Sequence, residues 1–325
     1  MKRSYFVYLD RRAFIAGAAS LVFAPRALAQ LGRGFEVALV TADLEARLVA
    51  VDLATGRIRR YVSTLPEPRS IEAVGDMAVV AHSEHGAITL VRSATLRVVR
   101  VLRGFGEPRY TAGDPAGRLA YVTDAERGEV FVLDVIRGRV VGRVRVGAGA
   151  RHITVDPAGR RLWVALGTKA ERIAVVDVSR PARARLLGFL RPPFLAHDVA
   201  WTPDGARVWI SSGDRDELAV YNPRTGKVLT TISGDAPPHH VSFRGRRAYV
   251  TSGESGTLRV YRATGQALAT TGVPYGSFNV SQGHGWIVTP GLGGGSLCIL
   301  DGTGRVVRRR QVARSSHDAC VVVTG

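Results

Sequence analysis

Two adjacent positions, recurring about every 40 residues, gather most of the side chains in this sequence that could do chemistry. The first reads Arg69, Arg109, Arg151, His197, His239, Ser277 and His317; the second reads Ser70, Tyr110, His152, Asp198, His240, Phe278 and Asp318. Five of the chain's 8 histidines fall in these two columns. Guanidinium groups bind carboxylate or phosphate through paired N–H donors, and a neutral imidazole is a metal ligand or a proton acceptor. Cations crowded together disfavour further charge, so these histidines are expected to be partly neutral at pH 7. His197, His239 and His317 are the expected metal-ligand trio, if their spacing in the fold allows it. Asp198 and Asp318 each follow a column histidine and are expected to orient an imidazole or pair with a neighbouring cation. The other reading of both columns is structural: polar groups at the start of a strand that satisfy backbone, copied with each duplication.

The element that must position them is a repeat. Valine-rich strands centred on Val40, Val80, Val122, Val164, Ile210, Val250 and Val288 recur at intervals of 38 to 46 residues. The end of the following strand keeps step at Asp52, Arg92, Asp134, Asp177, Asn222, Arg262 and Asp301. Repeats of 40 to 45 residues built from several short strands are the signature of propeller blades. In the fourth repeat the strands are expected at Ile153–Val155 (A), Arg161–Ala165 (B), Ile173–Asp177 (C) and Arg185–Gly188 (D), with Asp156-Pro157-Ala158-Gly159 as the A–B turn. The fold class is therefore all-β: a seven-bladed β-propeller of four-stranded antiparallel blades. The first repeat lacks an A strand, and His317–Val323 reads as an A strand with nothing after it. The C-terminal strand is expected to complete blade one and close the ring, which removes the open edges at the seam. In such a ring both columns meet at one mouth of the central channel, on the face that carries the B–C loops.

Residues 1–29 read as a twin-arginine export signal: Asp10-Arg11-Arg12-Ala13-Phe14-Ile15, a short apolar stretch from Ala16 to Ala24, and Ala27-Leu28-Ala29 before Gln30. Residues 30–325 form the single propeller domain. A periplasmic or secreted location follows, with no stable membrane span once the signal is removed. The formal net charge is +18, and nearly all of its 45 cations are arginine, with Lys2, Lys169 and Lys227 the exceptions. A GC-rich genome gives that bias without selection, and the functional reading is attraction to anionic small molecules. No aromatic-basic motif points to nucleic acid. Cys298 and Cys320 fall on different blades and are expected to be buried hydrophobes rather than a disulfide; no CxxC or CxxCH motif supports thiol redox chemistry or covalent haem.

Other candidates are weaker. His82 and His85 are expected at the B–C loop of blade two, His284 in an A–B turn on the opposite face, and Arg215-Asp216-Glu217 in a solvated loop. Gly291–Gly295 does not join a strand to a helix, so it is not a phosphate loop. No nucleophile motif supports Ser-His-Asp catalysis.

Leu119-Ala120-Tyr121-Val122-Thr123-Asp124 followed by Val130–Asp134, and Ala248-Tyr249-Val250-Thr251-Ser252 followed by Leu258–Tyr261, resemble the YVTN-type β-propeller repeat of surface-layer proteins. The resemblance spans nearly the whole of residues 30–325 and is weaker in blades one, two and seven. It implies the fold and leaves function open, because the strands it describes are structural. Its wider superfamily includes haem d1 domains, lactonases and amine dehydrogenase heavy chains, which implies that an Arg- and His-lined mouth is a place for an anionic cofactor. The resulting expectation is an exported, monomeric propeller that binds an anionic small molecule, a cofactor or a metal at the mouth, through Arg69, Arg109, Tyr110, Arg151, His152, His197, Asp198, His239, His240, His317 and Asp318. Its alternatives are a protein-interaction scaffold and a lactonase-like or oxidoreductase enzyme.

Overall fold

The computed structural model describes residues 34–234 and 236–325, so the expected export signal lies outside the described residues. Seven four-stranded antiparallel sheets make up the described chain. Blade one pairs β1 (Phe35–Ala42), β2 (Arg47–Asp52) and β3 (Ile58–Ser63) with the C-terminal β28 (Ala319–Thr324). Blades two to four are β4–β7 (from Ser70–Val74 to Arg97–Arg103), β8–β11 (from Pro108–Gly113 to Arg139–Arg145) and β12–β15 (from Ala150–Val155 to Arg185–Leu190). Blades five to seven are β16–β19 (from Ala196–Trp201 to Lys227–Ser233), β20–β23 (from Val241–Arg244 to Ala267–Gly272) and β24–β27 (from Ser281–Gly283 to Val306–Gln311). The innermost strands contact one another around the whole circle, with β28 between β24 and β4. The C-terminal strand thus supplies the missing A strand, pairing Phe35 with Thr324 and Val40 with Ala319.

The core is divided among the blade interfaces. Alternation along each inner strand sends successive apolar side chains to opposite neighbours, because β side chains alternate faces and here both faces are buried. Val37 and Leu39 pack towards blade two with Ile71 and Val80, whereas Ala38 and Val40 pack towards blade seven with Val288 and Ile299. The outer D strands face solvent and carry arginine, as in β7 with Arg97, Arg100 and Arg103, which protects these edges from pairing with other chains. Cys298 packs between blades six and seven and Cys320 between blades one and two, so both are free and buried. The expected Asp156-Pro157-Ala158-Gly159 turn forms, with Gly159 donating to the Asp156 carbonyl at 2.9 Å and taking a φ of +66° that other residues disfavour. Among the described residues no helix is long and apolar enough to cross a membrane.

Candidate functional site

The two candidate columns coincide with a bulge in the innermost strand. In blade three, pairing jumps from Pro108↔Asp124 to Thr111↔Val122, so Arg109 and Tyr110 together face Thr123. Blades four and five repeat this, with Arg151-His152 facing Ala165 and His197-Asp198 facing Ser211. A bulge re-aims two consecutive side chains and leaves backbone groups unpaired. The strand B hydroxyls take up those groups. Thr123 Oγ1 accepts the Tyr110 N–H at 3.1 Å and donates to the Arg151 carbonyl of the next blade at 2.7 Å. Ser211 does the same between Asp198, at 2.9 Å, and the carbonyl of His239, at 2.6 Å.

This linkage corrects the alignment of blade seven by one residue. Thr251 Oγ1 donates to the carbonyl of Phe278, and Thr289 Oγ1 to that of Asn279 at 2.6 Å. The columns there are Phe278 and Asn279 rather than Ser277 and Phe278. The first column then forms the mouth, and the second lines the channel beneath it: Ser70, Tyr110, His152, Asp198, His240, Asn279 and Asp318 surround a cavity of about 280 Å³. Glu72 also lines it. Sequence reasoning missed Glu72 because it stopped at the strand start, although period-two alternation from Ser70 places Glu72 on the same face.

The rings are packed together. Tyr110 reaches across the channel, its ring 4.2 Å from that of His152, 5.6 Å from His240 and 6.5 Å from His317. His152 lies 4.4 Å from His197 and 4.7 Å from His240, measured between centroids. Donor nitrogens of His152, His197 and His240 all lie within 4.8 Å of one another. This is a different trio from the expected His197, His239 and His317: the His239 ring lies 5.2 Å from that of His197, but the ligand atoms that approach one another are those of His152, His197 and His240. His239 Nδ1 accepts the Gly253 N–H at 3.3 Å while its ring sits 4.6 Å from Phe278. His317 Nδ1 accepts from the Asn279 amide at 3.2 Å.

The three clustered imidazoles are differently occupied. His197 Nδ1 lies 3.0 Å from the Thr168 carbonyl, so it carries the proton and leaves Nε2 with a free lone pair. His240 Nδ1 is 3.7 Å from Asp198 Oδ2. His152 is buried, and apart from a weak interaction with the backbone of His197, neither of its ring nitrogens has a hydrogen-bond partner of normal geometry among the described residues. Burial is the largest cause holding all three in the neutral form: His197 is depressed to about 4, and His152 and His240 well below the ordinary imidazole range. The like charges invoked from sequence add to burial and do not lead it. Burial also raises Asp198 and Asp318 to about 7 and Glu72 to about 8.

The two column aspartates serve the blade boundaries. Asp198 Oδ2 accepts the Val241 N–H at 2.9 Å and Asp318 Oδ2 accepts the Ile71 N–H at 3.1 Å, each from the following blade. Above them the mouth is asymmetric. Arg69, Arg109 and Arg151 come from consecutive blades and form one arc; His197, His239 and Phe278 form the facing one. Arg69 lies 3.9 Å from Asp43, Arg109 pairs with Glu107, and the Arg151 guanidinium carbon is 5.8 Å from the Tyr110 ring. His82 lies apart from this group. It is buried at the end of β5 (Met77–His82) rather than in the loop, bonded to the Pro66 carbonyl and to Thr89 Oγ1, each at 2.9 Å.

Comparison with known proteins places this architecture among β-propellers. No family model matches the chain, and no curated protein matches it either. Solved structures do. A functionally unknown protein from Desulfotomaculum acetoxidans is 12% identical, with a TM-score of 0.77 over 89% of this chain and 99% of that one. Kuenenia stuttgartiensis hydrazine synthase is 18% identical, with a TM-score of 0.66 over 78% of this chain and 89% of that one. Dihydro-haem d1 dehydrogenase NirN in complex with DHE is 17% identical, with a TM-score of 0.59 over 85% of this chain and 63% of that one. At such identities the likeness concerns the fold.

Proposed function

We propose that this protein is an exported metal-binding propeller, which holds one borderline transition-metal ion, of the Zn²⁺, Co²⁺ or Cu²⁺ class, through His152, His197 and His240 at the floor of the channel mouth. The observation that carries this reading is a buried imidazole, His152, without a normal hydrogen-bond partner at either nitrogen, beside two others whose donors lie within 4.8 Å. A buried polar group left unpaired is costly, so its persistence calls for a ligand. Imidazole nitrogen suits these ions, and three such ligands leave a fourth position open. Donors around a tetrahedral Zn²⁺ with bonds of about 2.0 Å stand roughly 3.3 Å apart, so binding would draw the rings inward by rotamer adjustment. The role is that of a binding protein; no residue here is assigned to bond-breaking.

The test is elemental analysis of protein purified without chelator, followed by titration of the stripped protein with Zn²⁺ and Co²⁺. Near-stoichiometric binding that is lost in His152→Ala and His240→Ala but kept in His239→Ala supports the reading, provided circular dichroism shows intact sheet. A folded protein that binds neither ion at micromolar concentration overturns it.

A further inference from the structure

The arginine arc beside the three imidazoles has too few counter-charges for a bare cation. Arg69, Arg109 and Arg151 face the mouth from three consecutive blades; their ion pairs among the described residues are with Asp43, 3.9 Å from Arg69, and with Glu107 on Arg109, and Arg69 also feels Glu67 and Asp318 at longer range. Arg151 has no ion pair of its own among the described residues; it stands beside the Tyr110 ring, which in turn lies 4.2 Å from His152. The Nε atoms of Arg109 and Arg151 are buried and without hydrogen-bond partners. The imidazole ligands bring no negative charge. A divalent ion placed on them adds two positive charges next to three guanidiniums, in a site where water screens poorly. Guanidinium pairs hold carboxylate and phosphate oxygens bidentately, and the arc offers three forks on one side of the ring.

We infer that the mouth takes its metal together with a small oxyanion of at least two negative charges, which fills the metal's open position with one oxygen and lies with the others against Arg69, Arg109 and Arg151. The inference rests on the metal reading above and names the ligand class of that same site. Metal and anion are then positively coupled: each raises the affinity for the other by the same factor, as linkage requires.

Co²⁺ provides the test, because its visible spectrum reports a change in coordination directly. Stripped protein is titrated with Co²⁺ in an anion-poor buffer, then at equal free Co²⁺ with oxalate or with phosphate. The expected result is at least a tenfold gain in Co²⁺ affinity and a shifted spectrum with one of the two anions. Arg109→Gln/Arg151→Gln should abolish that gain while binding Co²⁺ alone at least as well as the parent. Arg69→Gln, at the more exposed end of the arc, gives a partial loss and guards against misfolding of the double variant. Co²⁺ binding that is the same with and without either anion overturns this inference alone. Absence of Co²⁺ binding in every condition overturns the metal reading and this inference with it.

Discussion

The Thr123 hydroxyl donates to the carbonyl oxygen of Arg151 at 2.7 Å, across the boundary between blades three and four. The Thr123 hydroxyl oxygen in turn accepts the Tyr110 N–H, so one side chain both caps a bulge and joins two blades. Thr123→Val keeps the shape and removes both bonds. It leaves a buried donor and a buried acceptor unpaired, and is expected to cost about 1–3 kcal/mol, read as a lower midpoint in urea with an unchanged slope.

His197 is held in one tautomer by the Thr168 carbonyl, which leaves Nε2 as the ligand atom. Glutamine places its amide group near the position of Nε2, and asparagine places its own near Nδ1. His197→Gln is therefore expected to keep more metal affinity than His197→Asn. Equal Zn²⁺ affinity in the two variants would show that His197 is not oriented by this contact.

Protons should compete with metal only in acid. Burial depresses His197 to about 4, so its lone pair stays available above that pH, whereas an ordinary imidazole is protonated below about 6.5. Co²⁺ binding followed by absorbance is expected to hold down to about pH 5 and to fail nearer 4. Loss of binding centred on 6.5 would mean that the imidazoles are solvated.

Stability should fall as pH rises above neutrality. Glu72 titrates at about 8 in the folded chain against an ordinary 4.5, so the folded state keeps its proton after the unfolded chain has released it. That stabilisation is complete below about 4.5 and is lost as pH rises through 8. Asp198 and Asp318, at about 7, act in the same sense. The buried histidines act oppositely, but only below their unfolded value of about 6.5, so pH 6.5 to 8.5 isolates the carboxyls. Glu72 is partly exposed on the channel wall, and its part is about 1–2 kcal/mol. Chemical denaturation across that range should show a decline, and Glu72→Gln should flatten it in part; an unchanged decline in the variant would remove Glu72 as its source.

The thiols of Cys298 and Cys320 are raised by burial, Cys298 to about 11. Both should resist a thiol-specific reagent in the native protein and react upon unfolding. Reaction of either at native rates comparable to a free thiol would contradict the packing described.

The period of the sequence determines the blade number, the strand order and the closure by β28, because these depend on hydrophobic alternation and chain direction alone. The candidate columns were legible for the same reason. Their division into mouth and channel was not, since it arises from a bulge whose position shows only in the pairing of Arg109-Tyr110 with one residue, Thr123. The imidazole trio depended on that bulge, and on side-chain orientations that bring the ligand atoms of His152, His197 and His240 together although the His239 ring packs as near to His197. In blade seven the shift to Asn279 could have been read from Val280, which takes the place of Val199 and Val241 in the neighbouring blades.

The seam of blade one joins partners very far apart along the chain, the Thr324 hydroxyl reaching the carbonyl of Phe35 across 289 positions. Every other blade can pair its four strands from one local stretch, but this one waits for the two ends of the ring to meet. Its closure carries the largest loop entropy in the molecule and belongs late in folding. Until β28 arrives, the inner edge of β1 is exposed together with Val37, Leu39 and Val40. The interval before ring closure is therefore when the chain is most open to strand exchange with another copy of itself, and a folding rate measured at several protein concentrations would expose that competition.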